Sequence, residues 1–214
     1  MNVFLLGLRV TDTAATEDGV TNVITSSLPP SDKKISTKVV LSMKADHYVG
    51  KLLNGLKENE TILAIGPTKA NPDGVLQMQP ILVVTQGNWD DLLAINLFIA
   101  TGGLGPIATE KELGDNTVTN RSLAWQDEKK ETQWFALSGW NKLSKEMAEL
   151  PPGTPTIAVG SFTSSEREDK KFINYGVSKV LYLPRGSKPA PKKAADPEKG
   201  VVSKAALGSL DFSL

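Results

Sequence analysis

Trp134 and Trp140 stand six residues apart in Thr132-Gln133-Trp134-Phe135-Ala136-Leu137-Ser138-Gly139-Trp140-Asn141-Lys142-Leu143. The run up to Trp140 has the composition of a strand, and a helix start follows it. Side chains alternate between the two faces of a strand, so an even separation puts both indoles on one face. Two exposed indoles beside Lys142 could stack on unpaired nucleic-acid bases. Two buried ones would fill a core beneath the helix. Both readings fit this stretch taken alone.

The elements that hold these tryptophans come in two copies. Val39-Val40-Leu41-Ser42 aligns with Phe135-Ala136-Leu137-Ser138 at an offset of 96 residues. Ile62-Leu63-Ala64-Ile65-Gly66 aligns with Ile157-Ala158-Val159-Gly160, the two glycines 94 apart. The openings Val3-Phe4-Leu5-Leu6-Gly7-Leu8 and Leu97-Phe98-Ile99-Ala100-Thr101-Gly102 match as well. A helix is expected after the third strand of each half, over 45–56 and 141–150, with Leu52, Leu53 and Leu56 on its apolar face in the first. Further strands are expected over 76–85 and 172–183. A period this long is too great for a solenoid and fits two tandem domains. Strands, one helix, then two more strands is an order that several small β-barrels share.

The segment from Asn96 to Leu183 resembles the bacterial single-stranded DNA-binding proteins, which are oligonucleotide/oligosaccharide-binding (OB) barrels. The resemblance rests on ordered motifs: a strand with a glycine turn at Thr101-Gly102-Gly103-Leu104-Gly105, a strand at Thr117-Val118-Thr119-Asn120-Arg121-Ser122-Leu123-Ala124, and a charged hairpin from Gln126 to Glu131. A Thr-x-Trp strand then runs into Gly139-Trp140-Asn141-Lys142-Leu143, and Pro151-Pro152-Gly153 leads to a strand ending at Gly160. The implied fold is all-β: two tandem five-stranded OB barrels, each with one helix after the third strand. The domains are then 1–86, a linker 87–94, a second barrel 95–183, and a flexible Pro/Lys-rich tail 184–214.

The resemblance also assigns residues. Trp134 matches a stacking tryptophan of that family, and Trp140 a stacking phenylalanine six residues on. Trp125, Phe172 and Tyr175 are further stacking candidates, although core packing is the expected role of both Phe162 and Phe172. Arg121, Lys129, Lys130, Lys142, Lys170 and Lys171 are the candidates for phosphate contact. In the first half Lys38 corresponds to Trp134 and Lys44 to Trp140, and the aromatics are only Phe4, which reads as core, and Tyr48. That half is expected to be mainly structural; phosphate contact through Lys33, Lys34, Lys38 and Lys44, or a partner surface, are its alternatives. Trp89 in the linker is expected to staple the domains.

The implied function is sequence-tolerant binding of single-stranded DNA during replication, recombination or repair. The competing reading is a primosome-type accessory module that binds mainly protein or RNA. A family that assembles four barrels implies a homodimer here. Composition neither argues for this nor forbids it. The chain has 24 basic and 24 acidic residues, so bulk charge supplies no attraction to nucleic acid. It has no cysteine, which excludes disulfides and thiolate chemistry. The single histidine, His47, has no nucleophile or carboxylate at motif spacing and reads as a surface or capping residue. No enzyme, metal or cofactor is expected. No run approaches the ~18 apolar residues of a membrane span, and the opening lacks a charged leader. A soluble, cytoplasmic, nucleoid-associated protein is the expectation, with an organelle left open. The tail from Pro184 carries a net charge of +3 and ends in Leu210-Asp211-Phe212-Ser213-Leu214. It lacks the acidic run with which the resembled family recruits replication or repair proteins.

Overall fold

Alternation builds the first barrel. In β1 (Asn2–Val10) the side chains of Phe4, Leu6, Leu8 and Val10 are buried, while Val3, Leu5 and Arg9 are not. It is followed by β2 (Ala15–Glu17), β3 (Val20–Ser27) and β4 (Lys38–Lys44). Next come the helix α1 (Tyr48–Asn54) and the strands β5 (Thr61–Gly66), β6 (Thr68–Ala70), β7 (Leu76–Met78) and β8 (Leu82–Thr85). Here the strand expected over 76–85 is broken in two, and the fourth strand is followed after a break by the additional β6. Pro67 and Pro80 stand at the breaks, and neither has an N–H to give a ladder. The barrel closes through β1–β3, β3–β4, a parallel β4–β7 pair, β6–β7 with β5–β8, and β5–β1.

The second barrel repeats the plan with β9 (Asn96–Leu113), β10 (Asn116–Gln126), β11 (Thr132–Trp140), the helix α2 (Lys142–Glu149), β12 (Pro155–Arg167) and β13 (Lys170–Tyr182). Its strands are long, not short. β9, expected to end near Gly105, continues to Leu113 and forms an arm with β10. A parallel β11–β13 pair again joins the third strand to the fifth. The structure, a computed structural model, describes residues 2–28, 35–85, 90–126, 130–168 and 170–182. All of these residues belong to one compact unit. Trp89, Lys33, Lys34, Lys129 and the tail lie outside the described residues.

Helix α1 is shorter than expected. His47 is its N-cap, its Nδ1 accepting from the Val49 N–H at 3.3 Å. Leu53 and Leu56 are buried, but Leu52 points outward, so the apolar face is narrower than its leucines suggest. At α2 the glycine of Gly139-Trp140-Asn141-Lys142-Leu143 has a packing reason. A Cβ on Gly139 would come within 2.4 Å of Met147 Sδ and 3.3 Å of the Leu143 carbonyl oxygen, so a side chain there would have to displace Met147 where α2 lies against β11.

The two barrels share one sheet. β1 pairs antiparallel with β9, so that Phe4 stands opposite Phe98 and Leu5 opposite Leu97. Phe4 and Phe98 occupy equivalent places in the duplicated sequence, which puts a pseudo-two-fold axis between them. Their rings are 5.9 Å apart, and Phe4 also meets Phe162 and Tyr175 of the second barrel. The cores thus merge into one cluster at the junction. A second seam lies near the β12–β13 hairpin. Ser164 bridges to Ile35, and its hydroxyl meets that of Thr37 at 2.5 Å.

Candidate nucleic-acid interface

The outer face of β11 carries Trp134, Ala136, Ser138 and Trp140, while Phe135, Leu137 and Gly139 turn into the barrel. Trp134 is 59% exposed and Trp140 45%. The core reading of the pair is therefore overturned. At ~3.3 Å per residue the two indoles stand about 20 Å apart, too far to hold one base between them. They present two separate exposed rings along one strand.

Sheet registers identify what stands beside them. The parallel pair sets Leu137 opposite Tyr175 and Ser138 opposite Gly176. The pairing ends there; continued by three residues, the same register would set Phe172 level with Trp134. Phe172 is 46% exposed and shares its face with Asn174, so its expected core role is replaced by a third exposed ring on the same surface. Arg167 pairs with Lys170 one step further along this face, at the exposed hairpin end. On the other side of β11, Trp140 pairs with Val118, and Val118 with Lys111 of the β9 arm. Lys111 lies on the tryptophan side together with Ile107, Thr109 and Leu113, whereas Glu110 and Glu112 face the other way. The polar floor is fixed by Ser138 Oγ donating to Asn120 Oδ1 at 2.6 Å and Asn174 Nδ2 donating to Ser165 Oγ at 3.1 Å. Asn141, next to Trp140, accepts from the Thr117 N–H at 3.1 Å and ties the start of α2 to β10.

Other expected site residues take different roles. Tyr175 is buried, edge-on to Phe98 and Phe135 at 5.6 and 5.1 Å, and burial pushes its phenol well above the usual range. It packs the core and offers no stacking surface. Arg121 is 3% exposed. Its guanidinium donates to the Gly105 carbonyl at 2.9 Å and to those of Met147 and Leu150 at 2.5 and 2.7 Å. It meets the unpaired carbonyls at the end of α2, where a cation is favoured by the helix dipole, and is not a phosphate ligand. Burial also lowers its pKa. Trp125 turns inward, its ring stacked on Phe135 at 6.3 Å and its Nε1 buried. One edge lines a shallow recess with Thr101, Gly102, Gln126, Thr132 and Thr156.

Among the cations, Lys142 is 91% exposed and pairs loosely with Glu146 at 3.9 Å, a surface contact of little energetic weight. Lys130 is exposed in the turn before β11, and Lys170 and Lys171 are exposed at the hairpin. Lys111 and Arg167 were not legible as site residues, although the alternation of Ile107, Thr109, Lys111 and Leu113 with Ala108, Glu110 and Glu112 carried the signal for the first. Among the described residues no group of three or more His, Cys, Asp or Glu could hold a metal ion, and no helix is long and apolar enough to cross a membrane.

Two five-stranded barrels, each closed by a parallel pair between its third and fifth strands and each with a helix after the third, define a tandem OB fold. That is the fold of the single-stranded DNA-binding protein from Thermus aquaticus, with a TM-score of 0.66 over 89% of this chain and 96% of that one, at 15% sequence identity. A deletion mutant of the same Thermus protein matches with the same score and identity, over 89% of this chain and 97% of its own. No protein-family model and no curated protein matches the sequence. The likeness is one of fold.

Proposed function

We propose that this protein binds single-stranded DNA, without strong sequence preference and without catalysis, by stacking bases on Trp134, Phe172 and Trp140. The observation that carries the reading is their exposure together on one outer barrel face, with Lys111, Arg167 and Lys170 at its margins and Glu110 and Glu112 turned away. Every base has a π-face, so stacking of this kind tolerates any sequence, at roughly 1–3 kcal/mol per base. The fold shared with a single-stranded DNA-binding protein supports the same reading. Protecting unwound DNA in replication, recombination or repair is the role this activity fits, in the cytoplasm at the nucleoid.

We further propose a homodimer, which would gather four barrels. What supports it is the outer face of the shared sheet. Val3 pairs with Ile99 and Leu5 with Leu97, flanking the pseudo-two-fold axis, and the rows continue to Val159 on one side and Ile65 on the other. Ile99 is 38% exposed, and Leu82 and Leu181 further out are 43% and 46%. A broad apolar sheet face of this kind marks an interaction surface.

Titrating poly(dT) into the protein while following tryptophan fluorescence tests the stacking. Saturable quenching is expected, weakened separately by Trp134→Ala and Trp140→Ala, with no comparable response to duplex. Absence of quenching at low salt would sink single-strand binding and leave the accessory-module reading, in which the barrels bind mainly protein.

A further inference from the structure

The first barrel carries lysines where the second carries tryptophans. Ser42 Oγ donates to Asn22 Oδ1 at 2.6 Å, as Ser138 does to Asn120 at the same distance, so β4 and β11 correspond residue for residue. Lys38 is then the counterpart of Trp134, and Lys44 of Trp140. Both are exposed on the outer face of β4 with Val40 and Ser42 between them. Val40 pairs with Gln77, and Gln77 with the exposed Lys69, which adds a third ammonium to the face. One acid reaches its edge: Glu17 pairs with Val20, which pairs with Lys44. The other described acids of this barrel lie in turns and loops, at Asp12, Asp18, Asp46, Glu58, Glu60 and Asp73. The lysines are thus gathered on one face of a barrel that is not basic as a whole.

This face joins the stacking face of the second barrel. The buried pair Thr37 and Ser164 share a hydroxyl contact, and Ile35 bridges to Ser164. The next residue on each side turns outward: Lys38 from β4, and Ser165, which is paired with Phe172. Gly74 packs against Lys171 on the same seam. Its φ is +69° and a Cβ there would stand 2.8 Å from the Lys171 carbonyl oxygen, so the β6–β7 turn and the long hairpin meet closely only with glycine in place. A strand that followed Phe172 and Ser165 across this seam would run toward Lys38.

We propose that the outer face of the first barrel, through Lys38, Lys44 and Lys69, is a stacking-free half-site for the sugar-phosphate backbone of the same single strand that the second barrel stacks. The inference rests on the single-strand reading above. An ammonium is a compact charge suited to phosphate. The outer face of β4 carries no aromatic of its own: Phe4 is fully buried, and Tyr48 belongs to α1, its hydroxyl donating to the Ile81 carbonyl at 2.7 Å. Binding thus divides into a half that combines stacking with the cations at its margins and a half that is electrostatic alone.

The test is the salt dependence of long oligo(dT) binding by the full chain, read by tryptophan quenching, for the native protein and a Lys38→Gln/Lys44→Gln/Lys69→Gln variant. At roughly 0.7 per phosphate contact on a single strand, the slope of log K against log salt should flatten by about 2. The quench at saturation should stay as in the native protein, and Lys→Arg at the three positions should restore the slope. An unchanged slope with normal quenching overturns the half-site and leaves stacking intact. No quenching in the native protein overturns the stacking reading itself, and the half-site with it. The three lysines are exposed, and an unchanged melting temperature verifies that the variant is folded.

Discussion

Asn2 and Asn96 perform the same act in the two barrels. The Asn2 amide donates to the Thr68 carbonyl at 2.7 Å and accepts from the Thr68 N–H at 3.2 Å. Asn96 donates to the Phe162 carbonyl at 2.8 Å and accepts from the Phe162 N–H at 3.1 Å. Each clamps a backbone 66 residues downstream, at the point where the fourth strand passes the first. The repeat therefore extends beyond strand order to individual side-chain bonds. Burial separates them: Asn2 is 1% exposed, whereas Asn96 is only half-buried. Asn2→Ala strands two buried backbone groups and should cost about 2–3 kcal/mol, whereas water can replace part of the bond in Asn96→Ala, for about 1 kcal/mol. Urea unfolding of both variants checks the order.

Phe162 and Phe172 lie ten residues apart in sequence on paired strands and should behave as opposites. Phe172→Ala should weaken poly(dT) binding by about 1–3 kcal/mol, roughly 5- to 150-fold, and leave the melting temperature nearly unmoved. Phe162→Ala, in the core, should cost about 3–5 kcal/mol of stability. Quenching titrations and calorimetry of the pair separate the two roles.

Arg121 should register in stability and not in salt dependence. Arg121→Met leaves three carbonyls unpaired at the end of α2 and around Gly105, a loss of about 3 kcal/mol. Provided the variant is folded at the assay temperature, its log K against log salt slope should match that of the native protein. A slope flattened like that of a phosphate-contacting lysine would contradict the buried role.

Tyr175 sets a limit in alkali. Burial raises its pKa above the ordinary value of 10.0, so the fold favours the neutral phenol. The associated stability is complete below the unfolded value and is lost as pH climbs from there toward the folded one. Denaturant midpoints should therefore fall above about pH 10 more steeply in the native protein than in Tyr175→Phe, which has nothing to ionise.

The apolar outer face of the shared sheet makes its own forecast. Ile99→Glu, close to the pseudo-two-fold axis, puts a charge on a surface proposed to be covered by a second copy. Sedimentation equilibrium should find a dimer for the native protein and a monomer for this variant. The barrels should remain folded, because Ile99 faces away from the core. A native monomer at micromolar concentration would remove the dimer from the proposal.

Local periodicity by itself determined a good deal here. The duplication, the helix after the third strand of each half, and the common face of Trp134 and Trp140 all follow from spacing along one strand or between two aligned ones. So does the burial of Phe4, in the middle of an apolar alternation. What decided the rest is pairing between residues far apart in the chain. Nothing near Arg121 reveals that the end of a helix 26 residues later will lie on its guanidinium. Tyr175 and Phe172 differ in fate because the parallel closure against β11 turns odd positions inward and even ones outward, a parity that composition does not carry. The lysines of β4 look like ordinary solvated charges until the Thr37–Ser164 contact brings the Lys38 end of that strand to the hairpin that carries Phe172. Alternation states that a strand has two faces; only the tertiary register states which face meets the core, and what stands next to the other.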